Sequence, residues 1–249
     1  MQVELQNLSK DLGGSRVLDE LNVVFEGGQT IALLGANGAG KTTLLNLVAG
    51  LYQPSAGAVL VDGEALQRSN LEQRRKLHLL PDIPLMFPGQ TPLEYIAFAV
   101  EAYQRRGRNF DELIVDLLEE FDLLAVADCP SRTLSRGQKY KATLIAMLAI
   151  NPEIWILDEP FTSGMDPLGL SAMRQHLERA RSNGSLVLYS TQLVEVAAQM
   201  STKVCVLADN RIAAFDSSHA LQESADHSPQ LNALLQQLRE QASNDDLPT

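Results

Sequence analysis

Apolar positions along the chain follow two rhythms, and the change from one to the other sets the expected architecture. Val3, Leu5 and Leu8 alternate with polar neighbours, which predicts an edge strand ending at Ser9-Lys10. After a Gly13-Gly14 turn, residues 18–26 read as a second strand with Leu21, Val23 and Phe25 on one face. Gly27-Gly28 turns the chain into residues 30–34, an apolar run of the length of a buried strand. Residues 44–49 are apolar at helical spacing and stop at Gly50. Residues 58–61 form a strand again, and Asp62-Gly63 is a hairpin signal. These early strands are expected to pair antiparallel in a small sheet beside the core.

The middle of the chain changes period. Residues 76–81 give one short strand, followed by a loop over 82–88 that Pro84 and Pro88 stiffen. Helical periodicity then covers 91–103 and 110–124, joined by a solvated loop over 105–108, and Ser135 opens a third helix to Ile150. With no strand signal, residues 84–150 read as an inserted helical subdomain. From Glu153 onward, strands at 154–157, 185–189, 203–207 and 211–215 alternate with helices at 167–181 and 194–200. Such alternation predicts an α/β fold with a mostly parallel sheet and helices on both faces. One domain is expected over 1–215. A C-terminal helical tail over 216–249 follows, with an amphipathic helix at 231–238 and a polar end from Gln241.

Composition narrows the function classes. The 249 residues are 45% hydrophobic and 20% charged, ordinary for a globular chain. A net charge of −11 leaves no basic stripe for a nucleic-acid backbone, so no nucleic-acid partner is expected. No stretch approaches the ~18 consecutive apolar residues of a membrane span. Nor does the N-terminus carry a charged and then apolar signal pattern. Any membrane crossing is therefore expected of another polypeptide. Cys129 and Cys205 lack metal-like spacing and read as reduced packing residues.

The strongest chemistry lies in residues 35–43, GANGAGKTT, with Gly35, Gly40, Lys41 and Thr42 on the fixed positions of G-x-x-x-x-G-K-[ST]. Strand, glycine loop and helix follow in the order this motif requires. Backbone N–H groups across Asn37, Gly38, Ala39 and Gly40 can cradle a polyphosphate, and the helix N-terminus at Thr42-Thr43 adds partial positive charge. Lys41 supplies a full charge to the outer phosphates, and the Thr42 hydroxyl is an oxygen ligand for Mg²⁺. Downstream, IWILDE over 154–159 is an apolar strand ending in two acids. Asp158 at the strand end suits Mg²⁺, and Glu159 can orient or deprotonate a water attacking a γ-phosphate.

Together these blocks resemble the ABC ATPases. Residues 133–138, TLSRGQ, are similar to the family's LSGGQ signature, and Ser163-Gly164-Met165-Asp166 resembles its D-loop. The resemblance spans roughly residues 2–215. It implies a P-loop core with an antiparallel β-subdomain and a helical insertion. It also implies ATP and Mg²⁺ as cofactors, held in a head-to-tail dimer with a second ATP-binding subunit. Ser135, Gly137, Gln138 and Asp166 of one protomer would then close over ATP on its partner. Ser135 would cap a helix whose N–H groups at Gly137 and Gln138 form a second anion site.

Three positions depart from the family pattern. Asp82 stands where the family has a glutamine, Gln192 where it has a switch histidine, and Leu12 where an aromatic usually stacks on adenine. Asp82 can bind Mg²⁺ directly or through water, and Gln192 can still donate to phosphate or position a water. The function implied is the ATP-hydrolysing subunit of an ABC transporter, peripheral on the cytoplasmic face of the membrane and driving separate integral-membrane subunits. The loop residues Leu85, Met86 and Phe87 need covering, which those subunits would supply; the alternative is that they pack on the chain's own helical subdomain. The alternative reading from Asp82 and Gln192 is an ATP-gated dimerisation module with weak hydrolysis and a more active partner.

Overall fold

The computed structural model describes residues 1–105, 109–162, 164–219 and 229–245. A six-stranded sheet organises the molecule. It is built from β3 (Thr30–Leu34), β6 (Leu77–Leu80), β7 (Ile154–Leu157), β8 (Leu186–Thr191), β9 (Lys203–Ala208) and β10 (Arg211–Ser217), in the order β10-β9-β3-β8-β7-β6. All neighbours run parallel except β10, which returns antiparallel along β9. A second, four-stranded antiparallel sheet holds β1 (Gln2–Leu12), β2 (Ser15–Glu26), β4 (Ala56–Val61) and β5 (Glu64–Ala65). The expected fold class is the observed one.

Strand pleating sorts the core into two layers. Ile31 and Leu33 of β3 face the antiparallel sheet and α1 (Lys41–Val48), whereas Ala32 and Leu34 face the larger helical layer. That layer contains α3 (Pro92–Ala102), α4 (Phe110–Glu120), α5 (Arg136–Ile150), α6 (Pro167–Ser182) and α7 (Val194–Met200). The middle block of helices thus shares its core with one face of the sheet. From Tyr140 to Ile150 every residue of α5 is buried, so this helix is the spine joining the two.

Several boundaries differ from those read off the sequence. β1 is no edge strand: it pairs with β2 on one side and β4 on the other, and it runs on to Leu12. Asn7 adopts a left-handed conformation (φ 46°) where the register shifts, and this bulge returns Leu8 to the face of Val3 and Leu5. The helix expected to reach Leu124 ends at Glu120, because Asp122 turns left-handed (φ 52°) before a short 3₁₀ turn over Leu124–Val126. The short α2 (Leu71–Arg75), capped by Asn70, has too little periodicity to be read from sequence. The last helix, α8 (Pro229–Asp245), extends past Gln241 into the stretch expected to be a polar tail, and docks Leu235 and Leu238 into the core. Residues 106–108 of the expected solvated loop, residues 220–228 and the final four residues lie outside the described residues.

Burial also creates a pH dependence of stability. His78 on β6 shares a 2.9 Å hydrogen bond between Nδ1 and the Tyr103 hydroxyl, which itself donates to the Leu77 carbonyl at 2.9 Å. Desolvation pushes the imidazole pKa down to about 4. Between that value and the ~6.5 of an unfolded histidine, the unfolded chain binds the extra proton, so stability falls as pH drops through this window. Full protonation of the unfolded state costs up to about 3 kcal/mol. Urea unfolding of His78→Gln is expected to lose stability less steeply than the parent between pH 6.5 and 4.5; parallel curves would refute this.

Candidate functional site

Strand register brings the sequence-predicted residues to one edge of the sheet. Leu34 pairs with Thr191, and Leu157 pairs with both Leu80 and Tyr189. Gly35, Asp158 and Gln192 therefore leave the carboxyl ends of neighbouring strands together, the position where parallel sheets bind ligands. Asp82 leaves the same edge two residues beyond β6.

The glycine loop is shaped by close approach as well as by dihedral angle. Gly40 lies at φ 95°, and a Cβ there would sit 2.7 Å from Leu18 Cδ2 and 3.2 Å from the Val17 carbonyl oxygen. Only glycine lets the hairpin of the antiparallel sheet press on the loop. Asn37, Gly38 and Ala39 form the turn across its mouth, where the Ala39 N–H donates to the Ala36 carbonyl at 3.1 Å. Lys41 is buried, and its ammonium donates to the Gly35 and Ala36 carbonyls at 2.8 and 3.1 Å. It also lies 3.6 Å from Glu159 Oε1. Burial lowers the Lys41 pKa, opposed by the Glu159 charge. Glu159 is raised, first by burial and then by Asp158, against the pull of Lys41. A polyphosphate entering the loop would give Lys41 the counter-charge that Glu159 now provides.

Across 116 positions of sequence, Thr42 Oγ1 donates to Asp158 Oδ2 at 2.8 Å. These are hard oxygen donors of the type Mg²⁺ takes, and a two-residue set suits an ion that completes its shell with water and phosphate. No group of three or more acidic, His or Cys ligands occurs among the described residues. Ser190 is a site residue that the sequence reading missed. Its hydroxyl donates to Asp158 Oδ1 at 2.6 Å and accepts the Glu159 N–H at 2.8 Å. That bond steadies Glu159 in a left-handed conformation (φ 44°) that bends the chain away from the strand end. The signal available in sequence was a hydroxyl directly after the strand expected over 185–189 and two positions before Gln192.

The signature segment is built as a capped helix start. Ser135 Oγ accepts the Gln138 N–H at 3.1 Å, and Gln138 Oε1 accepts the Ser135 N–H at 2.9 Å. The Gln138 N–H, expected to be open to an anion, is thus engaged in the capping box. A Cβ on Gly137 would lie 2.7 Å from the Gly164 carbonyl oxygen, so the signature helix packs directly on the D-loop backbone. Asp166 caps α6 by accepting the Gly169 N–H at 2.8 Å and pairs with the buried Lys141 of α5. Ser163 lies outside the described residues. Arg136 grips Asp82, Nη2 donating to Oδ1 at 2.5 Å. Thr43 on the first turn of α1 and Gln192 after β8 are half-buried, and Leu12 stands 39% exposed at the hairpin tip.

Comparison with known proteins places this geometry. A family model described as ABC transporter matches residues 18–162. The Nod factor export ATP-binding protein I of Burkholderia lata is 31% identical over 222 residues, covering 89% of this chain and 73% of that protein. The SkfA peptide export ATP-binding protein SkfE of Bacillus subtilis is 30% identical over 210 residues, covering 84% of this chain and 87% of its own length. A solved structure of an ATP-binding subunit of an ABC transporter superposes with a TM-score of 0.84 at 27% identity, covering 90% of this chain and 93% of that one.

Proposed function

The chain belongs to the ABC transporter ATP-binding family, and on that premise we propose that it hydrolyses ATP as a head-to-tail dimer and drives separate membrane subunits. The observation that carries the reading is the 2.8 Å contact joining Thr42 of the phosphate loop to Asp158 of the acidic strand end. Around it, the loop glycines and Lys41 bind the phosphates, Thr42 and Asp158 would hold Mg²⁺, and Glu159 takes up a proton from the attacking water. When bound there, Mg²⁺ would supply positive charge to offset that of the phosphates. Gln192 orients the water or a phosphate oxygen through its amide without titrating. Asp166 and the signature residues Ser135, Gly137 and Gln138 contribute from the partner protomer. Since one protomer has little use for two anion sites, a second copy or a related subunit supplies the other half.

No helix among the described residues is long and apolar enough to cross a membrane. The loop after β6 instead exposes Ile83, Leu85 (74%) and Phe87 (77%), while Met86, also expected to be uncovered, packs on the core. This loop leads directly from Asp82, so a membrane subunit seated on it would touch the chain next to the nucleotide. Expressed with its transporter, the chain is expected to fractionate with membranes on the cytoplasmic face. Leu85→Asp with Phe87→Asp should release it while ATP affinity stays within twofold, measured by sedimentation and calorimetry. A double variant that still sediments with membranes would remove this loop from the interface.

A further inference from the structure

Among the described residues two buried side-chain atoms have no hydrogen-bond partner, Gln29 Oε1 and Tyr140 Oη. Gln29 lies in the turn before β3, at the strand end away from the site. Tyr140 lies within α5 and is fully buried. A buried hydroxyl without a partner is unfavourable and rare in native proteins unless something else engages it.

Its neighbours indicate what that is. Tyr140 follows Arg136 by one helical turn, so the two share a face of α5. Arg136 on that face holds Asp82 Oδ1 at 2.5 Å. After burial itself, the charges that push the phenol pKa up are those of Asp82 and then Asp158. Both oxygens of Asp158 already have partners, Thr42 on Oδ2 and Ser190 on Oδ1. Asp82 meets Arg136 through Oδ1 alone, leaving Oδ2 as the acceptor within this cluster.

We propose that Tyr140 is a positioning residue for Asp82, donating its hydroxyl to the carboxylate in the nucleotide-bound state. The proposal rests on the reading of the site as one that binds ATP between two chains. In the nucleotide-free chain, Arg136 draws Asp82 outward. A phosphate presented by the partner competes for the guanidinium, which pairs with phosphate as readily as with carboxylate. Asp82 then turns inward, and the Tyr140 O–H takes one oxygen while the other faces the Thr42–Asp158 pair. Asp82, one of the departures from the family pattern, and Arg136 of the signature segment are thereby partners, and Tyr140 is the third member of the set.

The test compares four full-length proteins: wild type, Tyr140→Phe, Asp82→Ala and the double variant. Because the hydroxyl is unpartnered without nucleotide, Tyr140→Phe should leave the melting temperature of the nucleotide-free protein unchanged or raised. With ATP it should lower kcat about tenfold, the worth of one hydrogen bond, while KM for ATP stays within twofold. The Mg²⁺ concentration for half-maximal turnover should rise severalfold. In the Asp82→Ala background, Tyr140→Phe should change none of these. A lowered melting temperature, an unchanged kcat, or an equal loss in both backgrounds would overturn the assignment while leaving the ATPase reading standing. Absence of ATP turnover in the wild type would instead strike the ATPase reading. The Mg²⁺ dependence of ATP binding in the same four proteins then decides on Tyr140 by the same criterion.

Discussion

Lys41→Ala is expected to weaken ATP binding by at least about 100-fold. Each charge-assisted hydrogen bond to phosphate contributes about 1.5–3 kcal/mol, and an ammonium in the mouth of the loop can make two or more. The loss extends beyond those bonds. Lys41 is the cation beside Glu159, at 3.6 Å, and its charge also bears on Lys41's other acidic neighbour, Asp158. Without it the two carboxylates face the incoming phosphates with no counter-charge in the loop, in a chain whose net charge of −11 already opposes them. The loop loses the ammonium's bonds to the Gly35 and Ala36 carbonyls, while its backbone N–H groups and the α1 N-terminus remain for the phosphates. Calorimetric titration with ATP and Mg²⁺ measures the change, and a dissociation constant within twofold of wild type would sink the phosphate-loop assignment.

Much of this site was legible because its parts are local in sequence. The loop from Gly35 to Thr42 and the acids at Asp158 and Glu159 each follow an apolar strand, and a strand of given length fixes where its last residue emerges. The parallel register then brings Gly35, Asp158 and Gln192 to one edge. Contacts between distant segments were not legible. Nothing in the spacing of 54 residues between Asp82 and Arg136 announces their ion pair, nor the pairing of Lys141 with Asp166. Sequence placed Tyr140 only within the helix opened by Ser135, between Lys139 and Lys141. Its orphaned hydroxyl became visible only when burial and neighbours could be read together. The same holds for β1, whose bulge at Asn7 breaks the two-residue rhythm by which strands are recognised.

Glu159→Gln is expected to lower turnover by about 10²–10⁴-fold, the range for a general base, while ATP stays bound. The substitution is nearly isosteric and keeps the backbone N–H that Ser190 accepts at 2.8 Å, so the bend after β7 persists. What changes is charge. Lys41 loses the carboxylate at 3.6 Å and is released for phosphate, and the γ-phosphate no longer faces an anion there. ATP affinity should therefore hold or rise, and dimers closed over uncleaved ATP should accumulate, doubling the mass seen by light scattering. The pH profile gives a second sign. Burial and Asp158 raise the Glu159 pKa above the usual carboxylate value, and a base acts only when deprotonated, so wild-type turnover should climb with pH through that raised pKa. The variant should lack this limb at any residual rate. Turnover at the wild-type rate would remove Glu159 from the chemistry. A variant that binds ATP yet stays monomeric would keep the chemistry and overturn the head-to-tail dimer.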